Sequence, residues 1–175
     1  NTRDMDEVHQ PHDSFFRKLF QVIEEAVSFM LHYLPEDVKA VLDLETMEAH
    51  SESFIDENLK RFYSDVLYSV DFKGQHGYLC LLLDHKSSRD KSVSFQLHRY
   101  INKVWSKVFE NNQEKLPAVI TIVLYHGKQH WGIDKRLRSM IDLPHESLRK
   151  YVPDFEYILI DLNEIPDEKI NGTPS

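Results

Sequence analysis

Cysteine and glycine are scarce in this 175-residue chain, which holds one cysteine, Cys80, and five glycines. A single thiol excludes an internal disulfide framework and a cysteine-rich zinc site. So few glycines leave neither a Walker-type phosphate loop nor a nucleophile elbow. No apolar run reaches the ~18 residues of a membrane-spanning helix, so no membrane association is expected. Positive charge is also short: 21 Lys and Arg stand against 29 Asp and Glu, for a formal net charge of -8. That balance argues against a broad basic surface. It leaves room for a local basic groove, or for a bound cation that supplies positive charge where it is needed. The lone thiol and the lack of a signal-peptide pattern fit a reducing, cytoplasmic setting.

What remains is the make-up of a folded domain. Hydrophobic residues are 41% and charged residues 29%, and 10 Phe, 8 Tyr and 2 Trp are enough to build a core. One domain is expected over residues 13–165, after a loose polar segment at 1–12 and before a polar tail at 166–175. The polar ending at Ser175 leaves open whether the native chain continues.

Phe16, Leu19, Phe20, Ile23, Val27, Met30, Leu31 and Leu34 fall at helical spacing, with Asp13 as a cap and Pro35 as the stop. A short helix at Pro35–Leu42 and a strand near Ser51–Ile55 follow on weaker patterns. Two strands, Phe62–Phe72 and Gly77–His85, are joined by Lys73-Gly74-Gln75-His76 and read as a hairpin. The period then returns to helical over about Ser92–Glu110, with Asp90 a candidate cap. Ala118–Tyr125 reads as a buried strand, Leu137–Met140 and Leu148–Tyr151 as short turns, and Glu156–Leu162 as a last strand. This order implies an α/β domain: a mixed central sheet with helices on its faces.

Two of these strands carry carboxylates inside apolar runs. Asp65 lies in Tyr63-Ser64-Asp65-Val66-Leu67-Tyr68, and Leu81-Leu82-Leu83 stops at Asp84-His85-Lys86. Desolvating a carboxylate costs several kcal/mol unless something pairs with it, so packing alone does not explain them. Parity puts Asp84 and Lys86 on one face of a strand and His85 on the other. Pairing Phe72 with Gly77, or Asp71 with Tyr78, sets Asp65 opposite Asp84, with Cβ atoms about 4.5–5.5 Å apart. Two such acids suit one hard cation. A magnesium ion there can polarise a phosphodiester and acidify a water, and Lys86 is placed to orient that water or to offset growing negative charge. A slip of one residue would turn Asp65 toward His85 and destroy the arrangement. The plain alternative is a surface acid pair with a solvated lysine.

In the following helix, Gln96-Leu97-His98-Arg99-Tyr100 has the form Q-x-x-x-Y. Gln96, Arg99 and Lys103 form a polar stripe beside the apolar face, able to meet a phosphate backbone or the rim of a metal site. That stripe also reads as a solvated helix face with Tyr100 in the core. Of the ten histidines, His126 and His130 have the spacing of a helical zinc pair, but Gly127 puts them in a loop. Cys80 and Trp105 read as core, Trp131 as a loop residue, and nothing in the spacing of Asp142 or Asp161 draws them into a site.

Taken in order, His12-Asp13-x-Phe15-Phe16-x-Lys18, the Asp65 strand, Leu82-Leu83-Asp84-His85-Lys86-Ser87-Ser88, the Gln96–Tyr100 pair, and Leu124-Tyr125-His126-Gly127 with Trp131 resemble a known family. It is the recombination-promoting nuclease/putative transposase family of the PD-(D/E)xK nuclease superfamily, and the likeness runs from about His12 to Leu162. The resemblance implies a restriction-endonuclease-like core and magnesium-dependent cleavage of DNA. By it, Asp65 and Asp84 stand for the metal-binding acids, Lys86 for the motif's lysine, and Gln96 and Tyr100 for the supporting helix pair. Asp13 would be either an extra carboxylate or only a cap. No proline precedes Asp65, and many relatives carry Glu and Gln where this chain has Asp84 and Lys86. Family members are often longer. The expectation is a DNA endonuclease of low sequence specificity, binding Mg2+ (or Mn2+ in its place) through Asp65 and Asp84. Catalysis would use Lys86 and Gln96, with Tyr100, Arg99 and Asp13 in support. Promotion of recombination and a homodimer are compatible with it. The alternatives are a catalytically idle nuclease-fold module that binds a protein or nucleic acid, and a DNA-transposing enzyme.

Overall fold

The computed structural model describes residues 16, 21–55, 57, 60, 62–84, 89–109 and 114–164. Helix α1 (Ile23–Tyr33) and the short helix α2 (Glu36–Lys39) lead into strand β1 (Leu42–His50). Strands β2 (Tyr63–Phe72) and β3 (Gln75–Asp84) follow, then helix α3 (Val93–Phe109), strand β4 (Val119–Tyr125), two 3-10 turns (Leu137–Met140 and Glu146–Tyr151) and strand β5 (Ile158–Asp161). The five strands form one sheet in the order β1-β2-β3-β4-β5. The first three run antiparallel and the last two join in parallel. This is the mixed α/β architecture expected from the sequence, consistent with a restriction-endonuclease-like core.

Three details correct the reading of the sequence. The helix before Pro35 does not run unbroken from Asp13: Val22 is extended, with φ -122° and ψ 106°, and α1 starts after it. Asp13 itself lies outside the described residues. The strand placed near Ser51–Ile55 is instead β1, which starts at Leu42 and ends at His50, and in it Leu42 and Leu44 alternate with exposed Asp43 and Glu45. A register shift between Asp43 and Glu48 bends this edge strand. Thr46 holds the bend, accepting from the Asp71 amide at 2.8 Å and donating to the Asp43 carbonyl at 2.7 Å. Third, the hairpin turn is two residues, Lys73-Gly74, not four. Both have positive φ (46° and 81°), the twist that suits a tight hairpin. Phe72 therefore pairs with Gln75, and the whole ladder moves by two residues.

The sheet is covered on both faces. On one, Val66, Tyr68, Val70, Leu79, Leu81 and Leu83 pack with Ala26, Phe29 and Met30 of α1. On the other, Leu82 packs with Val93 and Leu97 of α3, and Leu67 and Cys80 pack with its Tyr100 and Val104. Each fully buried leucine contributes roughly 1.5–3 kcal/mol. Central β3 is apolar without alternation because it is buried on both faces. Trp105, expected in the core, is half-buried, and its indole donates to the Pro117 carbonyl at 2.8 Å. No described helix is long and apolar enough to cross a membrane.

Candidate active site

Asp65 pairs with Leu82, and Asp84 pairs with Tyr63. Asp65 is therefore not directly opposite Asp84. Because Leu82 and Asp84 are two apart on β3, both acids still share the face that carries α3. They are diagonal neighbours, a relation that puts such positions about 7–8 Å apart, within reach of one cation held between two carboxylates. Both are nearly sealed, with Asp65 4% and Asp84 2% exposed.

Their surroundings differ. Asp65 is gripped by the segment after β1: Ser53 Oγ donates to Oδ1 at 2.5 Å and the Phe54 amide donates to Oδ2 at 2.9 Å. Asp84 closes β3 where β4 runs alongside in parallel, at the carboxyl ends where open α/β sheets gather ligands. His126, just past β4, is buried and donates from Nε2 to the Asp84 carbonyl at 2.6 Å.

Helix α3 adds the supporting pair. Gln96 is half-buried, and its Oε1 is buried without a partner among the described residues. Tyr100, one turn on, packs over Cys80 and Leu67. Burial, then the neighbouring Cys80 thiol and Asp65 carboxylate, raise its phenol far above the ordinary value. Its hydroxyl lies beside both groups without a well-aligned hydrogen bond to either. Burial also pushes the Cys80 thiol up, so it remains protonated. Arg99 is exposed on the same helix. Lys86 and Asp13 fall outside the described residues.

Asp65, Asp84 and the Gln96 amide offer hard oxygen donors, the chemistry that magnesium takes. Among the described residues, no three His, Cys, Asp or Glu side chains gather into a ligand set. An ion held here would complete its shell with the amide or with water.

The structure also shows contacts that the sequence pattern did not reveal. Tyr63 donates to Asp90 Oδ2 at 2.5 Å, while Asp90 Oδ1 accepts from the Ser92 amide at 2.8 Å and its hydroxyl at 2.7 Å. The Gln96 amide donates to the Ser92 carbonyl, so Ser92, not Asp90, opens α3; Asp90 holds Ser92 and ties it to β2 beside Asp84. Trp131 is buried, edge-on to Tyr125 at 4.8 Å, and donates to the Tyr157 hydroxyl at 2.9 Å. Exposed Arg89 donates to the carbonyls of His130 (3.2 Å) and Trp131 (3.4 Å). Its charge, with those of Asp161 and Asp84, is felt at the Tyr125 phenol, which burial raises. Arg89 and Asp84 are thus both within electrostatic reach of Tyr125. Only the place of Arg89 after Ser87-Ser88 could have pointed to it.

Comparison with known proteins places the chain in a family. A family model described as putative transposase, YhgA-like, matches residues 10–175. The recombination-promoting nuclease RpnC of Escherichia coli (strain K12) is 34% identical over 161 residues, covering 91% of this chain and 53% of RpnC. RpnA of the same strain is 30% identical over 161 residues, covering 91% and 54%. RpnE, also from that strain and named an inactive recombination-promoting nuclease-like protein, is 29% identical over 161 residues, covering 91% and 53%. The chain thus spans about half the length of these curated relatives. No solved structure matches it. With nearly its whole length matched, the chain belongs to the YhgA-like putative transposase family, whose relatives include recombination-promoting nucleases.

Proposed function

We propose that this domain is a metal-dependent DNA endonuclease of low sequence specificity, acting in the cytoplasm and promoting recombination. The observation that carries the reading is the pair of buried carboxylates, Asp65 and Asp84, on one face of a hairpin beneath α3. Nuclease names among the relatives support it. When bound, magnesium, or manganese in its place, supplies polarisation of a phosphodiester and acidification of a water. Asp65 and Asp84 would hold the ion, with Ser53 and the Phe54 amide fixing the Asp65 carboxylate. Gln96 would orient the attacking water through its unpartnered Oε1. Lys86 would offset charge on the scissile phosphate, and Arg89 and Arg99 would steady the flanking backbone. A homodimer would let two such sites cut both strands.

A second reading has its own support. Both Asp65 oxygens are already engaged, the acids are almost closed off, and RpnE carries the word inactive in its name. An idle module that binds DNA or a protein would look the same. Two measurements separate them. In plasmid nicking with magnesium, Asp65→Asn and Asp84→Asn should each lower the rate at least ~100-fold while the circular dichroism spectrum stays native. Calorimetric titration with manganese should show binding to the native chain and none to either variant. Undiminished nicking by both variants would refute the assignment, and no manganese binding to the native chain would favour the idle module.

A further inference from the structure

Beyond the acids, the same face of the sheet carries a cavity of about 320 Å³. Its floor is apolar, made by Leu67, Val104 and Tyr78, all at most 9% exposed. Its rim is exposed and polar, with His50, Glu52 and Lys107. The rings stand in a set: His50 lies edge-on to Tyr78 at 5.9 Å, and Lys107 stands 5.4 Å over the Phe54 ring while pairing with Glu52. An apolar, ring-walled slot with acceptors and donors at its mouth suits a flat heteroaromatic molecule with polar edges.

The position says which one. Leu67 is two residues from Asp65 on the same face of β2, so the floor begins about 7 Å from the carboxylate. The segment carrying Glu52 and Phe54 is also the one that donates two hydrogen bonds to Asp65. Resting on the nuclease reading, we infer that this cavity receives an unstacked nucleobase of the DNA strand whose phosphate lies at Asp65 and Asp84. The base stacks on the exposed His50 ring and rests over the Leu67–Val104 floor, with the Tyr78 ring meeting it edge-on. Glu52, once exchanged from Lys107, accepts from an exocyclic amino group, which favours cytosine, adenine or guanine over thymine. Lys107, freed in the same exchange, turns to the strand's phosphate. Filling the slot braces the Ser53–Phe54 grip on Asp65. The substrate class is therefore DNA with an unpaired base near the cut: single strands, mismatches or frayed ends.

The test is fluorescence anisotropy with a labelled single-stranded 12-mer, in EDTA so that nothing is cut. A matched 12-mer with abasic sugars at every other position serves as comparison. His50→Ala removes an exposed wall, and Ser51→Trp plugs the mouth from an exposed position. The native chain should bind the intact strand about fivefold to a hundredfold more tightly than the abasic one, the range stacking supplies. Both variants should lose that preference, with circular dichroism confirming their fold. Equal binding of the two strands, no binding of either, or a preference that both variants retain would overturn the proposal. Plasmid nicking by the native chain and Asp84→Asn, run in parallel, tests the acids separately. If nicking depends on Asp84 and base preference is absent, the cavity proposal alone fails.

Discussion

The start of α3 is held by one contact whose worth can be worked out. Tyr63 is 3% exposed, and its hydroxyl donates to Asp90 at 2.5 Å. Burial, then this hydrogen bond, raise the phenol far above its usual value, so it is always a donor. Asp90→Ala removes the hydrogen bonds that hold Ser92 at the start of α3, worth ~1 kcal/mol. It also strands the buried Tyr63 hydroxyl, for ~1–3 kcal/mol more. The expected loss is therefore about 2–4 kcal/mol. Tyr63→Phe leaves the Asp90–Ser92 contacts and loses one charge-assisted hydrogen bond, about 1.5–3 kcal/mol. The double variant loses the Ser92 contacts and the Tyr63 bond but strands nothing, so it should fall short of the sum by the stranding cost, about 1–3 kcal/mol. Urea denaturation followed by far-ultraviolet circular dichroism gives all four corners of the cycle, read at constant m-value. Additivity within about 0.5 kcal/mol would mean the contact does not hold the helix to the strand.

Two more perturbations probe the frame around the site. A Cβ at Gly77 would lie 2.6 Å from Phe72 Cε2 and 3.0 Å from the Ala118 carbonyl, which accepts from the Tyr78 amide and cannot yield. Gly77→Ala should cost about 1–3 kcal/mol in urea denaturation, and a cost near zero would show that the β3–β4 edge is looser than its hydrogen bond implies. Alkali should unfold the domain. Burial pushes the Tyr157 phenol from 10.0 up to about 12, and the Trp131 N–H donation only partly opposes it; Tyr63, Tyr68 and Tyr100 move the same way. A raised folded value means that the unfolded chain gives up its protons first. Stability is then intact below pH 10 and lost as pH climbs toward 12. The thermal midpoint should fall over that window as tyrosinate absorbance at 295 nm rises with unfolding. Tyrosinate formed at Tyr63, Tyr68, Tyr100 or Tyr157 near pH 10 in a still-folded chain would contradict the burial argument.

Periodicity made most of the fold legible. Leu97, Tyr100 and Val104 announce α3, and Ile122 to Tyr125 announce a buried strand; both stand within a residue or two of where the pattern puts them. What failed has physical causes. Lys73 adopts φ 46°, a conformation a lysine rarely takes, so Lys73-Gly74 did not look like the two-residue turn it is. Strand β1 has no glycine or proline at its ends, and its alternation is broken by the irregularity between Asp43 and Glu48. The grip of Ser53 and Phe54 on Asp65 comes from an irregular segment, where no period exists to read. Tyr63–Asp90 and Trp131–Tyr157 span 27 and 26 residues, and a single sequence holds no record of such pairings.

The error in register was two residues, and that number matters. Strand side chains alternate with period two, so an even slip keeps every residue on its side of the sheet and changes only who faces whom. Asp65 and Asp84 stayed together beneath α3 because of it. The slip also changes the energetics. Two carboxylates directly opposite, about 5 Å apart, repel by on the order of 3 kcal/mol at an effective dielectric of 20; diagonal neighbours, at about 7–8 Å, repel by about 2. The observed pairing puts an apolar partner, Leu82, across from Asp65 and an aromatic one, Tyr63, across from Asp84. Each acid is thus kept off the other's ladder position while remaining within reach of one shared cation. On the proposed metal-dependent reading, the site would have to stay folded before its ion arrives and still offer two charges to it, and the diagonal would serve that better than the direct pair.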